Sequence, residues 1–190
     1  KKFSNLCKRV IPKYINSNNL DVEIFKFEFC LTPRENMATE PDLFIIDKNY
    51  SYFSVVEVEL SHHSLNRHVI PQMTSIVLYD YENHAEEVFE YLKRKNEPNF
   101  KYKKEKFCNM LKILTPEFIT ISDTFDDGWD TQLKKLGVRY IGLTEFADSN
   151  RDTSYYFKDS IPPKPFSELK VLWNGSFFIC TVKENKVLKN

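Results

Sequence analysis

The chain has 190 residues, enough for one domain with a sizeable core, or one domain and a small appendage. Its 42% hydrophobic and 28% charged residues describe an ordinary soluble globular protein. Its 27 basic side chains balance 27 acidic ones, so any hold on nucleic acid must come from local patches, not from overall charge.

No apolar stretch is long enough to span a membrane, and no signal peptide opens the chain. The four cysteines (Cys7, Cys30, Cys108 and Cys180) are scattered and form no Cys-x-x-Cys pair, which favours reduced thiols in a cytoplasmic protein. Sixteen Phe and ten Tyr predict an aromatic-rich core.

In chain order, residues 3–15 place Phe3, Leu6, Cys7 and Val10 at helical spacing, with Pro12 set to bend or stop the helix. Residues 22–30 alternate as a strand, with Phe25, Phe27 and Phe29 on one face. A loop carrying Pro33, Arg34, Glu35 and Glu40 leads to Pro41-Asp42. Two apolar runs follow, Leu43–Ile46 and Phe53–Leu60, separated by the polar stretch Asp47–Ser51. They read as a β-hairpin. In the second run Val56, Val58 and Leu60 face one side, and Val55, Glu57 and Glu59 the other. Apolar neighbours on both faces predict a covered strand, so its two carboxylates need cationic partners or a metal ion. Asp42 starts the preceding strand and lies across from Glu57 and Glu59 in an antiparallel hairpin. Three convergent carboxylates make an oxygen-ligand site for Mg²⁺.

This pattern resembles the PD-(D/E)XK nuclease superfamily, whose fold is called restriction-endonuclease-like. Pro41-Asp42 matches the first half of the signature and Glu57-Val58-Glu59 the second, with Glu59 where the family usually carries Lys. The resemblance covers roughly residues 20 to 80. It implies an α/β fold, a restriction-endonuclease-like core with a central mixed β-sheet flanked by helices. It also implies Mg²⁺ (or Mn²⁺ in its place) on Asp42, Glu57 and the main-chain carbonyl at Val58. Glu59 then acts as general base or as ligand to a second ion. The family often adds a Glu from its first helix, and residues 3–15 offer none.

Residues 61–81 place Leu65, Val69, Met73, Ile76 and Val77 on the apolar side of a helix with Pro71 as a kink or restart. Ser64, His68 and Gln72 form a second stripe, with Arg67 beside it. The resemblance implies that Gln72 points back at the active site, while His68 reads equally as a solvated helix face. His62 and His63 follow the acidic strand, and no ligand spacing with Cys supports a zinc site there.

Residues 84–96 read as a helix with Ala85, Val88, Phe89 and Leu92 inward. From Lys93 to Lys106 seven Lys or Arg outnumber two Glu and alternate with Phe100 and Tyr102. Such a stretch can grip phosphates and stack on bases, or be a solvated helix end. Lys101, Lys103 and Lys104 are the candidate nucleic-acid contacts, and neutralising about three phosphates gives a log–log salt slope of roughly −3. Residues 117–122 are a strand, followed by a helix that ends at Gly137 and a strand over Val138–Leu143. Asp123, Asp126, Asp127 and Asp130 are assigned to helix capping. This strand–helix–strand unit fits strands added to one side of the core.

After residue 147 the chain reads as a linker, with three prolines in Ile161–Pro165, and a C-terminal β-hairpin turning at Asn174-Gly175. The division is therefore a nuclease-like domain over 1–147 and a linker plus hairpin over 148–190, packed on it or starting a further module.

The implied function is metal-dependent endonucleolytic cleavage of DNA, with restriction, phage (antiviral) defence, repair and mobile-element processing all open. The alternative is a catalytically inactive nuclease-fold module for nucleic-acid binding or protein scaffolding. A third reading is an unrelated α/β domain whose strand carboxylates pair with Arg34 or Arg67. Expected partners are DNA and no membrane, and a homodimer or larger assembly through C-terminal or missing segments stays open.

Overall fold

The computed structural model of the chain describes residues 2–16, 21–32, 38–147, 153–160, 167–173 and 178–184. Five α-helices and eight strands appear in the order α1 (Lys2–Asn16), β1 (Val22–Lys26), β2 (Leu43–Asp47), β3 (Phe53–Glu59), α2 (Ile70–Val77), α3 (Ala85–Asn96), α4 (Lys104–Ile113), β4 (Glu117–Ser122), α5 (Asp127–Lys135), β5 (Val138–Ala147), β6 (Thr153–Asp159), β7 (Ser167–Trp173) and β8 (Phe178–Glu184). Strands β1 to β6 form one mixed sheet in sequential order, and β7 pairs with β8 in a separate two-stranded sheet.

β1, β2 and β3 form an antiparallel meander, β3–β4 and β4–β5 are parallel, and β6 returns antiparallel along β5. The parallel steps need crossovers. Helices α2, α3 and α4 lie between β3 and β4, and α5 lies between β4 and β5.

Two apolar layers sandwich the sheet. One contains Phe25, Phe27, Phe44, Phe53, Val55, Phe118 and Tyr140 with Met73, Ile76, Val88, Phe89, Phe107 and Leu111 of the crossover helices. The other packs Cys7, Val10 and Ile11 of α1 on Leu43, Ile45, Val56, Ile119, Ile121 and Ile141. Alternate residues of β2 and β3 therefore enter different layers, the period-2 consequence of a covered strand. The outer edge of β1 is closed by one side chain: Asn96 accepts from the Lys26 N–H and donates to the Lys26 carbonyl, both at 3.2 Å.

Several sequence expectations change in detail. Helix α1 continues through Pro12 to Asn16. The strand expected over 22–30 ends at Lys26, but the Phe27 N–H still donates to the Asp42 carbonyl at 2.9 Å, so Phe27 keeps its place in the aromatic layer. The main sheet extends past 147, because β6 pairs with β5 from Thr153 to Asp159. The helix expected across 61–81 opens with a π-helical turn over Leu65–Val69, and Pro71 sits in the first turn of α2, where its missing N–H costs nothing. Asp126 caps α5 by accepting from the Trp129 N–H at 2.9 Å, and Gly137 ends that helix with φ of 72°. Arg34, the prolines of 161–165 and the Asn174-Gly175 turn lie outside the described residues.

Candidate functional site

The meander places Asp42 and the end of β3 together. Leu43 pairs with Val56, so continuing the register by one residue sets Asp42 against Glu57. Two bonds fix the junction: the Asp42 N–H donates to the Val56 carbonyl at 3.1 Å, and the Val58 N–H donates to Asp42 Oδ2 at 3.0 Å. Glu57 and Glu59 share the face of Val55, the aromatic side of the sheet. Both are almost fully enclosed, at 5% and 2% exposure, while Asp42 is half-buried and leaves the site open at one end.

The crossover supplies the next partner. Gln72 on α2 donates from Nε2 to Glu57 Oε1 at 3.1 Å. Its turn and the strand are nearly commensurate: one α-turn rises about 5.4 Å and two strand residues about 6.6 Å. The preceding turn accordingly brings His68 to Glu59, with Nε2 3.3 Å from Oε1. His63 bonds the other oxygen of Glu59 through Nδ1. On the far side β4 sets Thr120 beside Glu57 and Ser122 beside Glu59.

The electrostatics follow from enclosure. Burial, with the Asp42 and Glu59 carboxylates close by, pushes Glu57 well above the ordinary carboxylate range, against the opposing hydrogen bond from Gln72. Burial also raises Asp42, opposed by its bond from the Val58 N–H. Lys8 on α1 lies in the field of Asp42, and its own ammonium is pulled down by burial and by Lys26.

Four buried oxygens at this spot have no hydrogen-bond partner: Glu57 Oε2, Glu59 Oε1, Gln72 Oε1 and Thr120 Oγ1. Buried polar atoms are nearly always satisfied by protein or by ordered water, so four together on one patch of sheet leave room for water or an ion between them. Oxygens of this kind suit a hard divalent cation.

The structure therefore brings Asp42, Glu57, Val58, Glu59 and Gln72 to one end of the sheet, but among the described residues the three side chains whose donor atoms gather within 4.8 Å are Glu59, His63 and His68, not the three carboxylates expected. It does not bring Lys101, Lys103 and Lys104 to them. Tyr102 donates to the Ile46 carbonyl at 3.4 Å, and the Lys103 N–H donates to the Tyr50 hydroxyl at 2.9 Å, so this stretch packs on the β2–β3 turn. That turn is the opposite end of β2 from Asp42, roughly 17 Å away along five strand residues. Lys104 is also paired, with Glu86 at 2.9 Å and Glu90 at 3.1 Å. The interleaved aromatics face inward: Phe100 and Phe107 are buried, and Tyr102 packs edge-on against Phe25. Their spacing serves the core, which removes the base-stacking argument.

Nor, among the described residues, do Glu57 and Glu59 pair with an arginine; Arg34 lies outside those residues. Glu59 is met instead by the imidazoles of His63 and His68, while Arg67 is exposed. Sequence reasoning leaves His68 even between the site and a solvated face, sets His63 aside, and misses Thr120. The signal for the first two was the spacing Glu59-x₃-His63-x₄-His68. It was obscured because the chain turns at Ser61–His63 and then winds a π-turn, whereas an extended strand and a regular helix were assumed. Thr120 and Ser122 were visible as small polar residues alternating with isoleucines in a buried strand.

Elsewhere, a cavity of about 400 Å³ is lined by Phe3, Asn5, Leu6, Arg9 and Glu145 and shares no residue with the carboxylate cluster. Among the described residues, no helix is long and apolar enough to cross a membrane. No family model, curated protein or solved structure matches the chain.

Proposed function

We propose that this chain is a divalent-metal-dependent deoxyribonuclease with a restriction-endonuclease-like core, in which Asp42, Glu57 and the Val58 carbonyl hold Mg²⁺ or Mn²⁺. The observation that carries the reading is the group of unpartnered buried oxygens around Glu57. The element order supports it as well: a helix, a three-strand meander bearing Pro41-Asp42 and Glu57-Val58-Glu59, and a helical crossover to a parallel strand.

The donor set is all oxygen, as Mg²⁺ prefers. Glu57 presents Oε2 without a partner while Gln72 holds Oε1, and Asp42 accepts from the Val58 N–H through Oδ2, leaving Oδ1 to the ion. When bound, the ion polarises the phosphoryl group and relieves charge on the leaving oxygen. The protein's part is positional. Gln72 fixes the direction of Glu57, the Val58 N–H fixes Asp42, and the enclosing aromatic layer excludes bulk water from the buried side. Glu59 stands on the same face where the resemblance would place Lys, and as a carboxylate it can accept a proton from an attacking water. Among the described residues, Lys8 in the field of Asp42 and exposed Arg67 next to His68 in the chain are cations that can meet the phosphate backbone at this end of the sheet.

The test is cleavage of duplex and single-stranded DNA with Mg²⁺ or Mn²⁺, against Glu57→Ala. Cleavage that needs the ion and disappears in the variant supports the reading. Cleavage unchanged in the variant removes these residues from the mechanism. Absence of both cleavage and metal binding would leave the fold as an inactive binding or scaffold module.

A further inference from the structure

We propose that Glu59, His63 and His68 form a second metal site, one for a transition-metal dication such as Zn²⁺, beside the oxygen-only pair Asp42 and Glu57; it stands on its own donor atoms, apart from the nuclease reading, and with the ion bound Glu59 is a ligand, not a general base. One donor atom from each of the three residues lies within 4.8 Å of the others. Both imidazoles converge on one carboxylate from a stretch of ten residues, His63 through Nδ1 on one oxygen and His68 through Nε2, 3.3 Å from the other.

Local structure explains the convergence. The strand ends at Glu59, and the His63 N–H donates to the Leu60 carbonyl at 2.9 Å, closing a turn that sends His63 back over the strand end. Ser64 caps the next turn by accepting from the Arg67 N–H, and that turn is a π-helix, with the Val69 N–H reaching the Ser64 carbonyl at 3.3 Å. π-Turns are rare and recur at functional sites. The wide turn sets the His68 ring 5.0 Å from that of His63 and nearly perpendicular to it, at 85°.

The second observation is independent of this clustering. Glu59 is 2% exposed, and its Oε1, although near His68, has no hydrogen-bond partner. A buried carboxylate with one oxygen unsatisfied 3.3 Å from the His68 imidazole, and the His63 imidazole on its other oxygen, is a donor set short of its centre.

Donor chemistry decides the metal. Two imidazoles and a carboxylate suit Zn²⁺, Fe²⁺, Co²⁺ or Ni²⁺, whereas Mg²⁺ takes oxygen. Tetrahedral donors about 2.1 Å from Zn²⁺ lie about 3.4 Å apart, a spacing that His68 Nε2 and Glu59 Oε1 already hold at 3.3 Å, so the ion needs only small ring adjustments. Both rings have that freedom, with His63 36% and His68 48% exposed. Three protein ligands leave a fourth position for water, as in catalytic zinc sites, and the exposed rings leave it open to solvent.

The probe is Co²⁺, added to tag-free protein stripped with chelator and followed by its visible d–d absorption, with Zn²⁺ and Mg²⁺ as competitors. The expected result is saturable binding that Zn²⁺ displaces and excess Mg²⁺ does not. His63→Ala and His68→Ala should each weaken it by more than the roughly 10–100-fold cost of losing an outer-shell partner. His68→Gln serves as a second variant that keeps side-chain bulk, and circular dichroism confirms that each variant is folded. His62→Ala and Asp42→Asn should leave the absorption in place, which separates this site from the oxygen pair. Absence of Co²⁺ binding, displacement by Mg²⁺ as readily as by Zn²⁺, or absorption unchanged in the folded histidine variants would overturn the proposal.

Discussion

Gln72 and Glu57 are fifteen residues apart in sequence and joined by a 3.1 Å hydrogen bond from Nε2 to Oε1. The bond ties the first α-turn of the crossover to the acidic strand and leaves the other oxygen of Glu57 unpartnered. Gln72→Leu keeps the side-chain volume and removes the donor. It should weaken Mn²⁺ binding by about 10–100-fold, the cost of losing an outer-shell partner, while leaving the protein folded. Titration calorimetry reads the affinity, and unchanged binding would show that Glu57 needs no such orientation.

Enclosure of Glu57 makes stability depend on pH in a definite direction. Its carboxyl is held well above the ordinary range by burial, so the folded state keeps a proton that the unfolded chain releases near pH 4.5. The folded state binds more protons in that window, and stability falls as pH rises from about 4.5 through the raised value. Urea unfolding with chelator present at a series of pH values should show this decline. Glu57→Gln should flatten it, and saturating metal should oppose it by competing with the proton. An identical slope in wild type and Glu57→Gln would contradict the assignment.

The basic stretch now leads to a different expectation from the one its composition suggested. Lys101, Lys103 and Lys104 lie by the β2–β3 turn, and Lys104 is occupied by Glu86 and Glu90. Replacing all three with Gln should change the salt dependence of DNA binding by much less than the three units expected of direct phosphate contacts. Arg67→Gln, beside the carboxylate end, should reduce the slope by about one. Filter binding across a salt series distinguishes the two variants.

Much of the site was legible because a period of two is a strong constraint. Phe25, Phe27 and Phe29, and then Val55, Glu57 and Glu59, were assigned to faces by alternation alone, and the packing layers follow those faces. Gln72 came from the family resemblance. Long-range placement was not legible. Nothing local says that Tyr102 reaches the Ile46 carbonyl across 56 residues, and that contact carries the basic stretch away from the carboxylates. The edge strand β6 was hidden because Thr153–Asp159 follows a polar stretch and carries exposed Tyr156, as edge strands can.

The close approach of Phe125 to β5 gives a stability test away from the site. A Cβ at Gly142 would stand 2.5 Å from Phe125 Cβ and 2.7 Å from its backbone nitrogen. Phe125 also stacks on Tyr140 and precedes the Asp126 cap, so the loop cannot yield without disturbing both. Gly142→Ala should destabilise the protein by about 1–3 kcal/mol in urea unfolding. A neutral effect would mean that this loop moves freely.

The most direct measurement is anomalous diffraction from crystals soaked in Mn²⁺. The account predicts a peak about 2.2 Å from carboxylate oxygens of Asp42 and Glu57 and from the Val58 carbonyl, lost in crystals of Glu57→Gln. A structure at saturating Mn²⁺ with no peak between Asp42 and Glu57, or with density only at Glu59, His63 and His68, would contradict it.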